Sequence, residues 1–443
     1  MSAELLLAFS TLCLVYSVVL AHKSMRGGWV ITPLLGFVAT SVVFINIGFV
    51  VRFLGQPQED WAQTALFCVS IGLLSVSLGG FFGSRLVGPE KGSSYGHLDT
   101  SDRSVRYKAA VTSSLVVFGV VLVYFYLLGY IPLYETISTS IKQGLTPGLL
   151  NTLRVQRDVY VNPDAGYIPL QGFMEIMRYF GLPVVTIWFV QFYKARVHPR
   201  LSLLMIALSV LLVISSGQRW PLMYMVTSFI VYSSWTNQDR QRYVDAAVRV
   251  LLVAFVAGTG LSILLGRAVS GDASIGDAIL AGPFDLVQRV VLGNNGIPFV
   301  SYALFASDRE LLLGGSWFQN LLTYLPGPMP SYPVTFYQLV TGSSIGFSAP
   351  PDFYTEAYIN FKLPGVILVS GLWGLMLGYI HKWQVRVGES FLHQSTRAIM
   401  TTVLSFTAFS GAVMTIAGLI ACVFMLVAAR ANTAMFSDRE MIH

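Results

Sequence analysis

The stretch "PPDFYTEAYINFKLPGVILVSGLWGLMLGYI", Pro350 to Ile380, changes character part-way along. Its first part carries Asp352, Glu356, Asn360 and Lys362. Its second part has no charged residue. A bilayer-spanning helix needs roughly 20 apolar residues, and this run is of that kind. Three of the four polar groups at its mouth would be costly inside lipid. They mark where the helix leaves the bilayer, or they belong to a site. Glu356 and Asn360, four residues apart, share one helical face, with Asp352 one turn earlier. Lys362 points elsewhere and reads as a side chain that snorkels to the interface.

Composition places the whole chain in the membrane. Of 443 residues, 54% are hydrophobic and 11% charged, against about 25% charged in soluble domains. The expected fold is an all-α polytopic membrane protein, a single integral domain over residues 1–443. Eleven apolar stretches read as spans, near 3–21, 29–52, 62–83, 109–131, 172–192, 201–217, 220–235, 250–267, 357–380, 396–412 and 414–430. The last two are a tight hairpin around Ser410-Gly411 or one long helix. The first is a retained span, since no small-residue cleavage site follows it. Alternate loops hold 18 of the 28 Lys and Arg. The positive-inside rule then puts the N-terminus outside and the C-terminus in the cytoplasm. The net charge of +6 follows from that bias, and the basic residues are too dispersed to suggest nucleic acid. Cys13, Cys68 and Cys422 all lie in apolar runs, without disulfide or metal spacing.

Two external loops are long, 132–171 and 268–356. Both are rich in Gly, Pro and aromatic residues rather than in the composition of disorder. Short helices that pack back on the membrane domain are expected there, and loops of this length are usually functional. The external side also collects arginines that the positive-inside rule disfavours: Arg154, Arg157, Arg178, Arg219, Arg267 and Arg289. Arg219 ("SSGQRWPL") and Arg267 ("LLGRAVSGD") sit at the outer ends of two spans. Arginine suits planar, bidentate recognition of phosphate, so a ring of them at the membrane surface fits a lipid-linked pyrophosphate. The alternative is that each snorkels or pairs with Asp158, Glu175, Asp272 or Asp285. All six histidines fall on the cytoplasmic side, so an external general base must be a carboxylate. Glu356 is the first candidate, followed by Asp352 and Asp272. Glu59 and Asp60 read as a solvated turn. No Walker A, dinucleotide-binding glycine pattern or HExxH appears. Gly371, Gly374 and Gly378 have the spacing of close helix packing.

Several features together resemble the Wzy-type oligosaccharide repeat-unit polymerases of bacterial O-antigen and exopolysaccharide assembly. They are many spans, the arginine of "SSGQR", a large late external loop, and "EAYINFKLPG" opening the glycine-rich "GLWGLMLG". The residues that carry the resemblance lie in two windows, about 215–223 and 326–378. The resemblance implies a GT-C-class glycosyltransferase of the bacterial inner membrane, with its site facing the periplasm or exterior. The donor would be a growing glycan on undecaprenyl pyrophosphate. The acceptor would be the non-reducing end of one lipid-linked repeat unit. No metal, cofactor or nucleotide sugar is implied. Partners would be membrane lipid and a flippase and chain-length regulator of the same pathway. The family's external arginines fall by position on Arg219 and Arg267, and with Glu356 as the candidate base these are the expected catalytic residues. Arg154, Arg157, Arg289, Asp352, Tyr358 and Asn360 would bind substrate. An O-antigen ligase, a transferase using a polyprenyl-phosphate sugar, and a lipid-linked oligosaccharide flippase or transporter remain alternatives. The missing external histidine disfavours the ligase. Uncharged spans such as 109–131 disfavour the transporter.

Overall fold

The computed structural model describes residues 2–24, 30–86, 103–129, 131–143, 176–215, 219–236, 240–264, 283–284, 287–293, 295–306, 311–322, 332–343, 349–386, 394–411 and 423. No strand occurs among them. The helices are α1 (Ala3–Lys23), α2 (Pro33–Gly55), α3 (Asp60–Leu86), α4 (Arg103–Leu128), α5 (Pro132–Gln143) and α6 (177–194). Then come α7 (Pro199–Ser215), α8 (Arg219–Thr236) and α9 (Arg240–Leu264). In the large loop lie α10 (Gly296–Ala306), α11 (Gly315–Leu322) and α12 (Tyr332–Thr341), followed by α13 (Phe353–Arg386). Last is α14 (394–411). Among the described residues, five helical segments are long and apolar enough to cross a membrane: Ala3–Lys23, Pro33–Gly55, Asp60–Leu86, Tyr107–Leu127 and Phe353–Val385.

Local sequence explains the boundaries. The Ser2 and Thr32 hydroxyls accept from the Leu5 and Leu35 amides and cap α1 and α2, and Pro33 opens α2 without a donor to lose. Gly411 has φ +58, a left-handed conformation typical where a helix stops. The positive φ breaks regular helical geometry at Gly411, the last described residue of α14. The stretch 414–430 lies outside the described residues, Val423 excepted. The short helices expected in the 268–356 loop are present, and α10 packs on the bundle through Phe299, which meets Phe49 and Trp61 edge-on. Of the 132–171 loop, only the part in α5 is described.

Two helices set the rest. α3 and the later part of α13 run parallel and touch backbone to backbone. A Cβ on Gly374 would overlap the Val76 carbonyl oxygen, and one on Gly378 the Gly80 carbonyl. Gly79 and Gly83 return the contact against the Gly371 and Leu375 carbonyls. Such small-residue faces let helices approach where lipid removes the hydrophobic drive to associate. Gly371 is the exception among the three predicted packing glycines. Its own Cβ would meet nothing within 4 Å, and only its carbonyl lies in the seam.

α13 is not one continuous rod, and here the structure corrects the sequence reading. Lys362 has φ 56 and ψ −155, outside helical space, and Pro364 follows. The Phe353 and Trp373 rings are 5.7 Å apart, although 20 residues of straight helix would separate them by about 30 Å. The Gly365 Cβ position falls on Phe361 and on the Ala357 carbonyl. Residues 353–361 therefore form a half-helix folded back against 363–386. The polar stretch lies beside the span, not at its mouth. Tyr354 packs on Gly72, twelve residues into α3 and so about 18 Å along it. Lys362 does not snorkel. Its ammonium donates to the Phe305 carbonyl at the end of α10 and lies 5.2 Å from the Tyr358 ring.

The glycine seam gives a direct test. Gly374→Leu or Gly378→Leu must push two backbones apart, and overpacking of this kind costs about 1–3 kcal/mol or more. Gly371→Ala should leave the protein as stable as before. Thermal unfolding in detergent, followed by tryptophan fluorescence, checks both. Equal melting temperatures for all three variants would refute the seam.

Candidate functional site

The half-helix 353–361 is buried from Phe353 to Asn360, so each of its end groups needs a partner inside the protein. Asp352 supplies the first set. Its Oδ1 accepts from the Tyr354 and Thr355 amides, both at 2.9 Å, and its Oδ2 accepts from the Thr355 hydroxyl at 2.6 Å. This is an N-cap with a second bond to a side chain. The other end is held by the large loop. The Leu312 and Leu313 amides donate to the Ile359 and Asn360 carbonyls, and the Gly314 amide donates to Asn360 Oδ1 at 2.8 Å. Burial pushes the Asp352 carboxyl up to about 6, against the opposing pull of the bonds from Thr355 and Tyr354.

Glu356 lies between these ends, 2% exposed. Its Oε1 accepts from the Ser316 hydroxyl of α11 at 2.9 Å. Asn360, one turn on, donates from Nδ2 to Ser316 Oγ at 2.7 Å and to the Glu356 carbonyl at 2.8 Å. On its other side Glu356 Oε2 rests against Gly411, where any Cβ would collide with it. Glu356 and Asn360 thus share a face, as their spacing predicts, and that face looks onto a loop helix rather than into water. The Tyr332 hydroxyl of α12 is buried without a hydrogen-bond partner among the described residues. Burial and, secondly, the charge of Glu356 raise its pKa.

Aromatic contacts bring two predicted arginine positions toward this cluster. Trp220, the residue after Arg219, stacks on Phe409 of α14 at 4.5 Å and 17°. Phe409 is two residues from Gly411. Phe44 of α2 stacks on the same ring at 5.2 Å. Arg289 opens a π-helical turn, Arg289–Gly293, docked on the π-helical turn Val42–Asn46 of α2 that contains Phe44. The backbones of Arg219 and Arg289 therefore flank the Phe44–Trp220–Phe409 group, and Gly411 joins that group to Glu356. Arg178 is buried, with Tyr124 and Tyr179 rings 5.3 and 5.2 Å from its guanidinium. Tyr358 packs its ring against Tyr302, with centroids 4.7 Å apart and the planes tilted by 31°. Glu59 and Asp60 are exposed, as a solvated turn requires. Arg154, Arg157, Arg267 and Asp272 lie outside the described residues.

Sequence reasoning missed Ser316, Asn295 and Gly411. Ser316 and Asn295 are single polar residues in a long loop with no local signature. Thr355 was missed as well, although an Asp such as Asp352 just before a helix is a favoured N-cap. Among the described residues no group of three or more His, Cys, Asp or Glu could hold a metal ion. In comparisons with known proteins, no family model, curated protein or solved structure matches the chain.

Asp352 separates cap from charge. Asp352→Ala removes the acceptor and should cost about 1–2 kcal/mol, whereas Asp352→Asn keeps an acceptor and loses the titration. The folded pKa of about 6 lies above the usual 3.8. The wild-type carboxyl therefore contributes stability that is complete below pH 3.8 and is lost as pH rises through about 6. Wild type minus Asp352→Asn stability, measured by unfolding across that range, should fall with pH. A difference that rises with pH would contradict the burial argument.

Proposed function

We propose that this chain is a lipid-linked oligosaccharide polymerase of the bacterial inner membrane, with eleven spans and a GT-C-like fold. Its N-terminus would lie outside and its C-terminus in the cytoplasm. The observation that carries the reading is the enclosed Glu356–Ser316–Asn360 cluster. A carboxylate is set within the membrane domain, roofed by the large external loop, with the backbones of Arg219 and Arg289 at the same end.

In this reaction a hydroxyl on the non-reducing end of the acceptor repeat unit attacks the anomeric carbon of the donor glycan. The new glycosidic C–O bond forms as the C–O bond to pyrophosphate breaks. Undecaprenyl pyrophosphate leaves with the electron pair. Glu356, buried and placed by Ser316, takes the hydroxyl proton as general base. Arg219, Arg267 and Arg289, with Arg154 and Arg157, neutralise the charge that grows on the leaving pyrophosphate. Fixed cations aimed at that charge favour the transition state over the ground state. Asn360 and Asp352 keep the half-helix in register. Tyr358 acts at the rim through its ring rather than on Glu356. Because Ser316 covers Glu356, the acceptor reaches the carboxylate when α11 lifts, and closure afterwards excludes water that would hydrolyse the donor.

One observation favours transport instead. A broken half-helix with polar groups at about the mid-depth of α3 is a feature of carriers. Reconstitution with purified lipid-linked repeat units separates the readings. A ladder of chain lengths supports the polymerase, transfer to a different acceptor the ligase, and movement without bond formation the flippase. Glu356→Gln keeps an acceptor for Ser316 and should lower turnover by 10²-fold or more, on the order of a lost general base. Arg219→Ala should abolish long product while the protein still reaches the membrane. Long glycan from both variants would refute the residue roles.

A further inference from the structure

The turn that begins at Arg289 is held from two directions. Arg52, on the last turn of α2, donates from Nη2 to the Leu292 carbonyl at 2.8 Å. Its Nε is buried without a hydrogen-bond partner among the described residues. A Cβ on Gly296 would stand 2.9 Å from the same Nη2, so the loop backbone sits directly against the guanidinium. On the other side Asn295 donates from Nδ2 to the Val291 carbonyl at 2.9 Å and to the Phe44 carbonyl at 2.7 Å. π-Turns in helices displace carbonyls from the regular ladder and often mark functional positions. Here the turn Val42–Asn46 offers one such carbonyl to the loop. Gly48 clears the path, because a Cβ there would overlap the Asn295 side-chain amide.

Two consecutive carbonyls of one five-residue turn are therefore tied to α2 by two side chains, inside a loop of nearly 90 residues. Neither Arg52 nor Asn295 has a place in the mechanism above. We infer that Arg52 and Asn295 are positioning residues that fix the backbone of Arg289 for the donor pyrophosphate. The inference rests on the polymerase reading. Bidentate recognition of phosphate depends on placement, and a displacement of about 1 Å can cost on the order of 10²-fold in rate.

The test has an arm that does not depend on catalysis. In a background with Cys13, Cys68 and Cys422 replaced by alanine, half-buried Leu292→Cys reports the turn through its rate of alkylation in membranes. Arg52→Gln and Asn295→Ala should each speed alkylation about tenfold, as expected when a restraint worth one decade is lost. An unchanged rate would overturn the clamp. The second arm measures polymerisation kinetics with purified lipid-linked donor. Arg52→Gln should raise the donor KM about tenfold with a smaller change in kcat, and Arg52→Lys, which keeps a donor, should recover part of it. A variant with faster alkylation but wild-type KM would overturn the positioning role. Absence of polymer from the wild type would remove the polymerase reading alone, since the alkylation arm still decides the clamp.

Discussion

The backbone contact between α3 and α13 is the constraint on which the rest depends. Gly79 and Gly83 on one helix, Gly374 and Gly378 on the other, bring carbonyls and Cα atoms together with no side chain between. That closeness fixes where α13 begins its descent. It also leaves a narrow space beside the upper part of α3, where Gly72 again lacks a side chain and the Tyr354 ring fits. The folded-back half of α13 occupies it, and the Tyr354 and Ser41 hydroxyls, 3.0 Å apart, tie it to α2 as well.

Apolar length was the most legible property of the chain. The stretches at 3–21 and 62–83 lie inside helices that reach a few residues further, while the stretch at 29–52 is shifted: its helix starts at Pro33, capped by Thr32, and ends at Gly55. The break in α13 was hidden. Lys362-Leu-Pro-Gly can start a helix as easily as end one, since Pro is tolerated in a first turn. Hydropathy does not distinguish a span that starts at 357 from a hairpin whose second arm is the span. The distinction lies in contacts between residues far apart, such as Phe353 with Trp373.

The site was legible in part for the same reason. Glu356 and Asn360 were found because their spacing of four is a local property of a helix. Their partner Ser316 is 40 residues from Glu356, and Gly411 lies on a later helix, α14. A serine in a loop carries no mark of the carboxylate it will meet. Arginine content in the loops that the charge bias reads as external suggested a common ligand. The Trp220–Phe409 stack gives that suggestion a location for Arg219, through an aromatic pair that looks like ordinary core.

The half-helix 353–361 also bears on the order in which the protein is built. Its partner on α2, Ser41, precedes Tyr354 by 313 residues. At about 5–20 residues per second, that stretch takes on the order of tens of seconds to synthesise. Throughout this time the glycine face of α3 waits without its partner. It can do so safely, since an apolar helix satisfies its own backbone in lipid. The short polar half-helix could not. Its carbonyls need the amides of 312–314, and those residues are made shortly before it. The chain thus delivers this polar half-helix after the residues that satisfy its C-terminal carbonyls have been synthesised.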